Sequence, residues 1–159
     1  MRSRLAVTTA LAAAALVGGA TLSGCSSDSS AATSDDQPHL KVSGAYMPQP
    51  PLTETAAAYF TVDNTGGATD RLTRADSDLA PMATLDTTTD AGAMKEVKSL
   101  AVPAGGTLRL RTGSDHVMLM NLKRRPEVGD TVTLHLTFAK ADPITVKVPV
   151  KPATYQPAS

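Results

Sequence analysis

From Leu40 onward, apolar and polar residues alternate along the chain in short runs. The clearest run is Thr131–Phe138, in which every second residue is apolar. Because successive side chains of a β-strand point to opposite faces, this run predicts a strand with Leu134 and Leu136 buried and His135 exposed.

Other short runs of the same kind are separated by turn signals rich in Gly, Pro and Asn, and no long amphipathic helical pattern interrupts them. Seven or more short strands within about 110 residues predict an all-β domain, an antiparallel β-sandwich, because a single sheet of this content would leave one apolar face in water. The folded domain is expected at residues 40–150. The further predicted strands are 40–46, 57–63, 71–75, 97–102, 107–111, 116–122 and 144–150.

The first 24 residues have the pattern of a bacterial export signal. Two arginines precede an apolar segment, and the signal ends with Leu-Ser-Gly-Cys at Leu22 to Cys25. This tetrapeptide resembles a lipobox, in which the cysteine thiol is acylated and becomes the first residue of the mature protein. We therefore predict a signal peptide at 1–24, lipid attachment at Cys25, and a lipid-anchored location on the extracytoplasmic face of the cell membrane. The alternative is an ordinary secretory signal in which Cys25 occurs by chance.

The segments that flank the domain differ from it in composition. Residues 25–39 are mostly Ser, Asp, Ala and Thr, which predicts a flexible membrane tether. Residues 151–159 contain two prolines and are expected to form a frayed C-terminal tail. Cys25 is the only cysteine, so an internal disulfide is excluded. Once Cys25 is acylated, any metal site must use His, Met or carboxylate side chains.

Composition excludes several functional classes. Lys plus Arg and Asp plus Glu each number 15, and removal of the two signal-peptide arginines leaves a mature net charge of −2. Aromatic residues make up 3% of the chain, without Trp, so a nucleic-acid partner is not expected. The chain has no G-x-S-x-G elbow, and its histidines are scattered at 39, 116 and 135. We therefore expect that the protein is not an enzyme.

One predicted strand carries a set of candidate metal ligands. Residues 116–120 read His-Val-Met-Leu-Met, and an extended chain places His116, Met118 and Met120 on one face. Thioether sulfur suits Cu(I), and imidazole suits copper in either oxidation state, so these residue types favour copper. The alternative is that the methionines fill gaps in the core and that His116 is a surface residue at the start of the strand.

The wider pattern resembles the periplasmic copper chaperones of the PCu(A)C type (DUF461), over about residues 42–150. The resemblance implies a cupredoxin-like β-sandwich that carries copper, more readily as Cu(I) than as Cu(II). The motifs that carry it are Ala-Ala-Tyr-Phe-Thr-Val at 57–62, Val-Pro-Ala-Gly-Gly at 102–106 and His-Val-Met-Leu-Met-Asn-Leu at 116–122.

The specific part of this resemblance is a spacing. In the family a methionine precedes the His-x-Met pair by 21 intervening residues, and here positions 95–115 separate Met94 from His116 by the same number. By this match the resemblance implies Met94, His116 and Met118 as copper ligands.

The chain departs from the family pattern at one ligand. The family supplies another histidine at the end of the strand before Met94, and Asp86 stands in that place here. A carboxylate is a hard ligand that weakens a Cu(I) site but not necessarily a Cu(II) site. Three outcomes follow: a weakened three-ligand site, with Asp86 as a further candidate ligand, a site completed by Met82, Met120 or His39, or a domain that has lost metal binding.

The resemblance and the export signal together predict a function. The chain is expected to be a membrane-anchored, extracytoplasmic copper-binding protein, a Cu(I) chaperone that delivers copper to an envelope acceptor such as the copper centre of a respiratory oxidase. Its partners would be the copper ion, that acceptor protein and, through the lipid anchor, the membrane. The alternative is a non-metal-binding interaction or structural module of the cell envelope that has lost the copper site.

Overall fold

A computed structural model describes residues 36–157, which form ten β-strands joined by turns and loops. This part of the chain contains no helix, and hence none with the length and hydrophobicity needed to cross a bilayer. The strands are β1 (Leu40–Pro48), β2 (Thr55–Asn64), β3 (Asp70–Ser77), β4 (Met82–Thr88), β5 (Met94–Val97), β6 (Leu100–Val102), β7 (Thr107–Arg109), β8 (His116–Met120), β9 (Thr131–Phe138) and β10 (Ile144–Lys151).

The strands form one continuous hydrogen-bonded order that curls back on itself. The order is β5-β4-β8-β2-β1-β10-β9-β3-β6, and β7 pairs with β2 on the same edge as β8. This order has two halves, one formed by β5, β4, β8, β2 and β7 and the other by β10, β9, β3 and β6, and β1 joins them. Because β3 packs against β4, and β6 against β7, the apolar sides of the two halves face each other. The prediction of an all-β, antiparallel sandwich is confirmed, with the difference that β1 and β10 run parallel where they pair.

The core lies between the two halves and follows the alternation of each strand. On β9, Leu134 and Leu136 are fully buried, whereas His135 is exposed, as the sequence predicted. Full burial of such a side chain stabilises the fold by about 1.5–3 kcal/mol. The largest fully buried apolar side chains are Phe60, Met47, Leu72, Leu119, Leu134, Leu136, Val62, Val102, Val117, Val148 and Val150.

Strand β1 connects the two halves through a change of register. A β-bulge interrupts its pairing with β2, and Gly44 lies within the bulge at a φ of 60°, a conformation that glycine adopts without steric cost. After the bulge, Tyr46 pairs with Tyr59 of β2, while Met47 is buried and pairs with Val150 of β10. Because of the bulge, the single strand β1 pairs with β2 in the first half and with β10 in the second.

Two features of the strand prediction were wrong. The alternation pattern missed β4 because its sequence, Met-Ala-Thr-Leu-Asp-Thr-Thr, contains a single large buried apolar residue, Leu85. The run at 97–102, predicted as one strand, is divided between β5 and β6. Lys98 and Ser99 separate these strands, because β5 pairs with β4 in one half and β6 pairs with β3 in the other.

The predicted signal peptide, Cys25 and residues 26–35 of the predicted tether lie outside the described residues. The last residues of the tether contact the domain. The backbone N–H of His39 donates to Asn64 Oδ1 over 3.1 Å. A Cβ atom at Gly66 would lie 2.0 Å from the carbonyl oxygen of Gln37, so this close approach requires glycine.

The C-terminal segment also contacts the domain. Strand β10 includes Lys151, and the Tyr155 ring packs edge to face on Tyr46 with a centroid distance of 5.2 Å. The Nζ atom of Lys151 lies 5.5 Å from the centre of the Tyr155 ring. These contacts differ from the frayed tail expected from the composition of 151–159. The segment is polar on average, but the ring of Tyr155 supplies enough apolar area to pack on the domain.

Candidate metal centre

The candidate residues lie on β5, β4, β8 and β2, on the side of the sheet that faces away from the core. Leu85 and Val117 are buried on the core side, so the residues that follow or precede them, Asp86 and His116, lie on the outward side. Asp86 pairs directly with His116 on one neighbouring strand and with Glu96 on the other. We call Glu96, Asp86 and His116 the Asp86 row.

His116, the first residue of β8, is a buried imidazole with one unpartnered nitrogen. It is 3% exposed, and its Nδ1 lies 3.0 Å from the carbonyl oxygen of Ser114. Because a carbonyl only accepts hydrogen bonds, Nδ1 carries a proton, and in the neutral ring the lone pair is on Nε2. Among residues 36–157, Nε2 is the one buried side-chain nitrogen or oxygen atom without a hydrogen-bond partner. Buried polar atoms are normally paired, so this nitrogen is available to a ligand.

The carboxylate of Asp86 faces that nitrogen across a gap. Asp86 is 8% exposed, and its Oδ2 accepts a hydrogen bond of 3.1 Å from the hydroxyl of Thr84. The same oxygen is 4.0 Å from His116 Nε2, beyond hydrogen-bond distance. Metal bonds to imidazole nitrogen or carboxylate oxygen are about 2.0–2.2 Å long. The gap therefore has the size that one metal ion between the two atoms requires.

Aromatic rings bury His116 although it lies on the outward side. The Tyr59 ring is beside it on β2, with centroids 6.3 Å apart. Tyr59 stacks on Tyr46 at 5.1 Å, and Tyr46 in turn contacts Tyr155. Burial raises the pKa of the Tyr46 phenol, which agrees with the apolar character of this cluster. The tyrosines limit solvent access to the imidazole from the β2 side.

Two of the predicted thioether ligands flank the Asp86 row. Met118 follows His116 by two residues on the same side of β8 and is half-buried beside a shallow groove. Met94 pairs with Thr88 and therefore lies about 7 Å along β4 from Asp86, on the same side. Met94 is 67% exposed. The strand pairing thus places Met94, Asp86, His116 and Met118 on one face, with Met94 and Met118 on opposite sides of the Asp86 row, about 13 Å apart along the strands.

The other candidate residues lie farther away. Met120 and Met82 pair with each other, about 13 Å along the strands from the Asp86 row. His39 contacts Asn64 through its backbone at the far end of β2. These residues form no part of the cluster around His116.

The donor atoms on this face suit copper better than harder ions. Within residues 36–157, no three side chains of His, Cys, Asp or Glu are grouped so that they could hold a metal ion. The imidazole of His116 and the thioethers beside it form a soft donor set, and Asp86 adds one hard oxygen. In general Cu(I) prefers soft donors of this kind, whereas Cu(II) accepts both imidazole and carboxylate.

Sequence reasoning missed two residues of this face. Glu96 was not a candidate, although its position two residues after Met94 places both on the same side of one strand. Tyr59 was part of a quoted motif, but no role was derived for it. Its contact with His116 depends on the pairing of β2 with β8, which has no local signal in the sequence.

Fold and face together define a small all-β domain with imidazole, carboxylate and thioether donors on one outward surface. The chain belongs to the family described as "Putative lipoprotein LpqE-like", which matches residues 40–150. One relative, "Putative lipoprotein Lxx21020" of Leifsonia xyli subsp. xyli (strain CTCB07), is 41% identical over 99 residues, or 60% of this chain. The chain spans 60% of the length of this curated relative.

Solved structures share the fold. The apo PCuAC domain from PmoF1 has a TM-score of 0.64 and 23% identity, and the match covers 71% of this chain and 93% of that domain. The copper-bound PCuAC domain from PmoF2 has a TM-score of 0.63 and 20% identity, covering 71% and 92%. The solution structure of Cu(I)-DR1885 from Deinococcus radiodurans has a TM-score of 0.61 and 35% identity, covering 79% and 85%. The predicted cupredoxin-like fold and the resemblance to PCu(A)C domains are confirmed.

Proposed function

We propose that this chain is a membrane-anchored, extracytoplasmic copper-binding protein that carries Cu(I) to an envelope acceptor, such as the copper centre of a respiratory oxidase. The observation that carries the proposal is the buried, unpartnered Nε2 of His116, which faces Asp86 on a surface that also bears thioethers. The 35% identity to a protein solved with Cu(I) supports the same metal.

The proposed Cu(I) ligands are His116, Met118 and Met94. The hydrogen bond from Nδ1 to Ser114 fixes the orientation of the imidazole, which is the usual arrangement for a metal-binding histidine. Met118 is on the same strand and the same side as His116. Met94 lies on that side of β5 and is exposed, so shared binding of one ion requires its side chain to move toward His116. Asp86 is a weaker partner for Cu(I), because its oxygen is a hard donor.

Met120 has a separate place in this proposal. It pairs with Met82, which is 49% exposed, in a cross-strand pair of thioethers. The pair is about 13 Å from the Asp86 row, which is too far for a shared ion. Met120 is therefore no ligand of the same copper ion as His116.

The proposed location depends on Cys25. Acylation of its thiol would hold the domain at the outer side of the cell membrane, which agrees with membership of a family described as lipoproteins. A single acyl chain binds membranes only weakly, so stable anchoring requires more than one chain.

A second candidate function is an envelope interaction module without metal. The observation that favours it is Asp86, a carboxylate at the position where the family pattern has an imidazole. In this alternative Asp86 and His116, 4.0 Å apart, are a buried polar pair that holds no metal.

Metal binding by the mature chain distinguishes the two functions. The chain from residue 25 onward, with Cys25→Ser, is titrated with Cu(I) under anaerobic, reducing conditions against a chromophoric chelator. We expect one Cu(I) per chain, and we expect His116→Ala to abolish that binding. His135→Ala is the matched control, because His135 is an exposed imidazole on the other half of the sandwich. If the chain retains no copper in competition with a weak chelator, the result favours the interaction module without metal.

A further inference from the structure

Glu96 extends the outward surface of the candidate site with a second carboxylate. It lies on β5 directly opposite Asp86, and directly opposed residues of antiparallel strands have Cβ atoms about 4.5–5.5 Å apart. Glu96 is exposed, and its carboxylate makes no hydrogen bond or ion pair with any residue from 36 to 157. The Asp86 row therefore orders two carboxylates and one imidazole across three neighbouring strands.

The row and the thioethers are two donor sets that share His116. Across the strands, Glu96, Asp86 and His116 offer two hard oxygens and one nitrogen. Along the strands, Met94 and Met118 add soft sulfur donors, one on each side of the row that contains His116. The buried, unpartnered Nε2 of His116 points toward Asp86, and it is the independent sign that a ligand belongs in the row.

We infer that the Asp86 row is a binding site for Cu(II), so that one face of this domain holds copper in both oxidation states. The inference deepens the proposed function, because it takes copper as the metal and assigns a separate ligand set to the oxidised ion. Two carboxylates neutralise the charge of a dication, and the Irving–Williams order places Cu(II) above the other divalent first-row metals for such nitrogen and oxygen donors. The thioethers contribute little to Cu(II) and serve Cu(I).

The side chain of Glu96 must change its rotamer before the Asp86 row can bind a metal ion. The three groups of the row are not already grouped around a common point in this part of the chain. Asp86 and His116 are buried and held by Thr84 and Ser114 respectively, so they are the fixed members. Glu96 is the mobile member, since an exposed glutamate changes rotamer without disturbing the core.

The test measures both oxidation states in parallel. The full mature chain with Cys25→Ser also carries His39→Ala and His135→Ala, so that His116 is the only imidazole. Cu(II) affinity is measured by chelator competition, and electron paramagnetic resonance reports the nitrogen and oxygen ligands. Cu(I) affinity is measured anaerobically in the same variants.

Glu96→Gln removes one carboxylate of the row and is expected to weaken Cu(II) binding by about tenfold or more, while Cu(I) binding changes by less than about twofold. Asp86→Asn should weaken Cu(II) binding more, because Asp86 is the fixed carboxylate. The control is Glu127→Gln in the loop before β9, which makes the same change of charge away from the row. Thermal melting checks that each variant is folded. If Asp86→Asn destabilises the domain because Asp86 is buried, Glu96→Gln still tests the row, because Glu96 is exposed.

The outcomes separate this inference from the proposed function. If Glu96→Gln leaves both the Cu(II) affinity and the resonance spectrum equal to those of Glu127→Gln, the row is not the Cu(II) site, whether or not Cu(I) binds. If Cu(I) fails to bind while Cu(II) binding depends on Glu96, the row stands as a Cu(II) site, whereas the Cu(I) carrier function and the claim that this face holds both oxidation states fall. Equal loss of Cu(I) and Cu(II) in Glu96→Gln would also overturn the assignment of separate ligand sets.

Discussion

Replacement of Asp86 by histidine is the most direct perturbation of the candidate centre. Asp86 and His116 are directly paired on β4 and β8, and the carboxylate oxygen lies 4.0 Å from Nε2. An imidazole in place of the carboxylate would face the first imidazole across the same gap. With the thioethers of Met94 and Met118, the site would then offer Cu(I) four soft or borderline donors and no hard one.

The expected magnitudes follow from the contacts that change. Groups that only orient a metal ligand are worth about 10–100-fold in affinity, so a donor that touches the ion should be worth at least about tenfold, or about 1.4 kcal/mol. The metal-free domain loses the hydrogen bond from Thr84 to Asp86, at a cost of about 0.5–1.5 kcal/mol. That loss lowers the melting temperature by about 2–8 °C. Binding and folding therefore change in opposite directions.

Anaerobic competition with a Cu(I) chelator measures the affinity, at fixed pH because protons compete with the metal for imidazole. Asp142→His is the matched control, since it adds the same imidazole at an exposed loop position between β9 and β10. Thermal melting without metal gives the change in stability. The reasoning is refuted if Asp86→His binds Cu(I) no more tightly than Asp142→His while its melting temperature shows an intact fold.

Three further predictions address the ligands, the anchor and the core. Met118→Ala should weaken Cu(I) binding more than Cu(II) binding, whereas His116→Ala should weaken both, as competition titrations in each oxidation state will measure. Cys25→Ser should move the protein from the membrane pellet to the soluble fraction, and retention in the pellet after a high-salt wash would contradict lipid anchoring. Leu134→Ala should cost about 2–5 kcal/mol of unfolding free energy and His135→Ala less than about 0.5 kcal/mol by chemical denaturation, and reversed costs would show a wrong register.

Local alternation predicts the strands of this fold where one face is apolar. Strand β9 meets this condition, and its burial pattern follows the sequence residue by residue. Strand β4 does not, because three of its seven residues are threonines and Leu85 is its one large buried apolar residue. The parallel pairing of β1 with β10 also has no local signal, since it depends on a bulge that redirects β1. Such features arise from tertiary packing and not from the period of the sequence.

The candidate centre could also be predicted from the sequence only in part, because local alternation gives the faces of a strand but not its pairing. The two-residue period of β8 correctly groups His116 with Met118 on one side. The pairing of Asp86 with His116 requires the register between β4 and β8, which came from a family resemblance and not from the residues themselves. The burial of His116 could not be predicted, because it depends on the contact with Tyr59, which is distant in sequence.

In the proposed carrier function, the unequal burial of the proposed ligands would give copper transfer a direction. Met94 is 67% exposed and His116 is 3% exposed, so a partner protein reaches the sulfur before the imidazole. A thioether is a neutral, weak donor, and its displacement by a partner ligand leaves the ion still held by His116. The imidazole is released last, because the Tyr59 ring and the hydrogen bond to Ser114 keep it in place. An ion passed by such stepwise exchange is never free in solution, which is the property that a metal carrier requires.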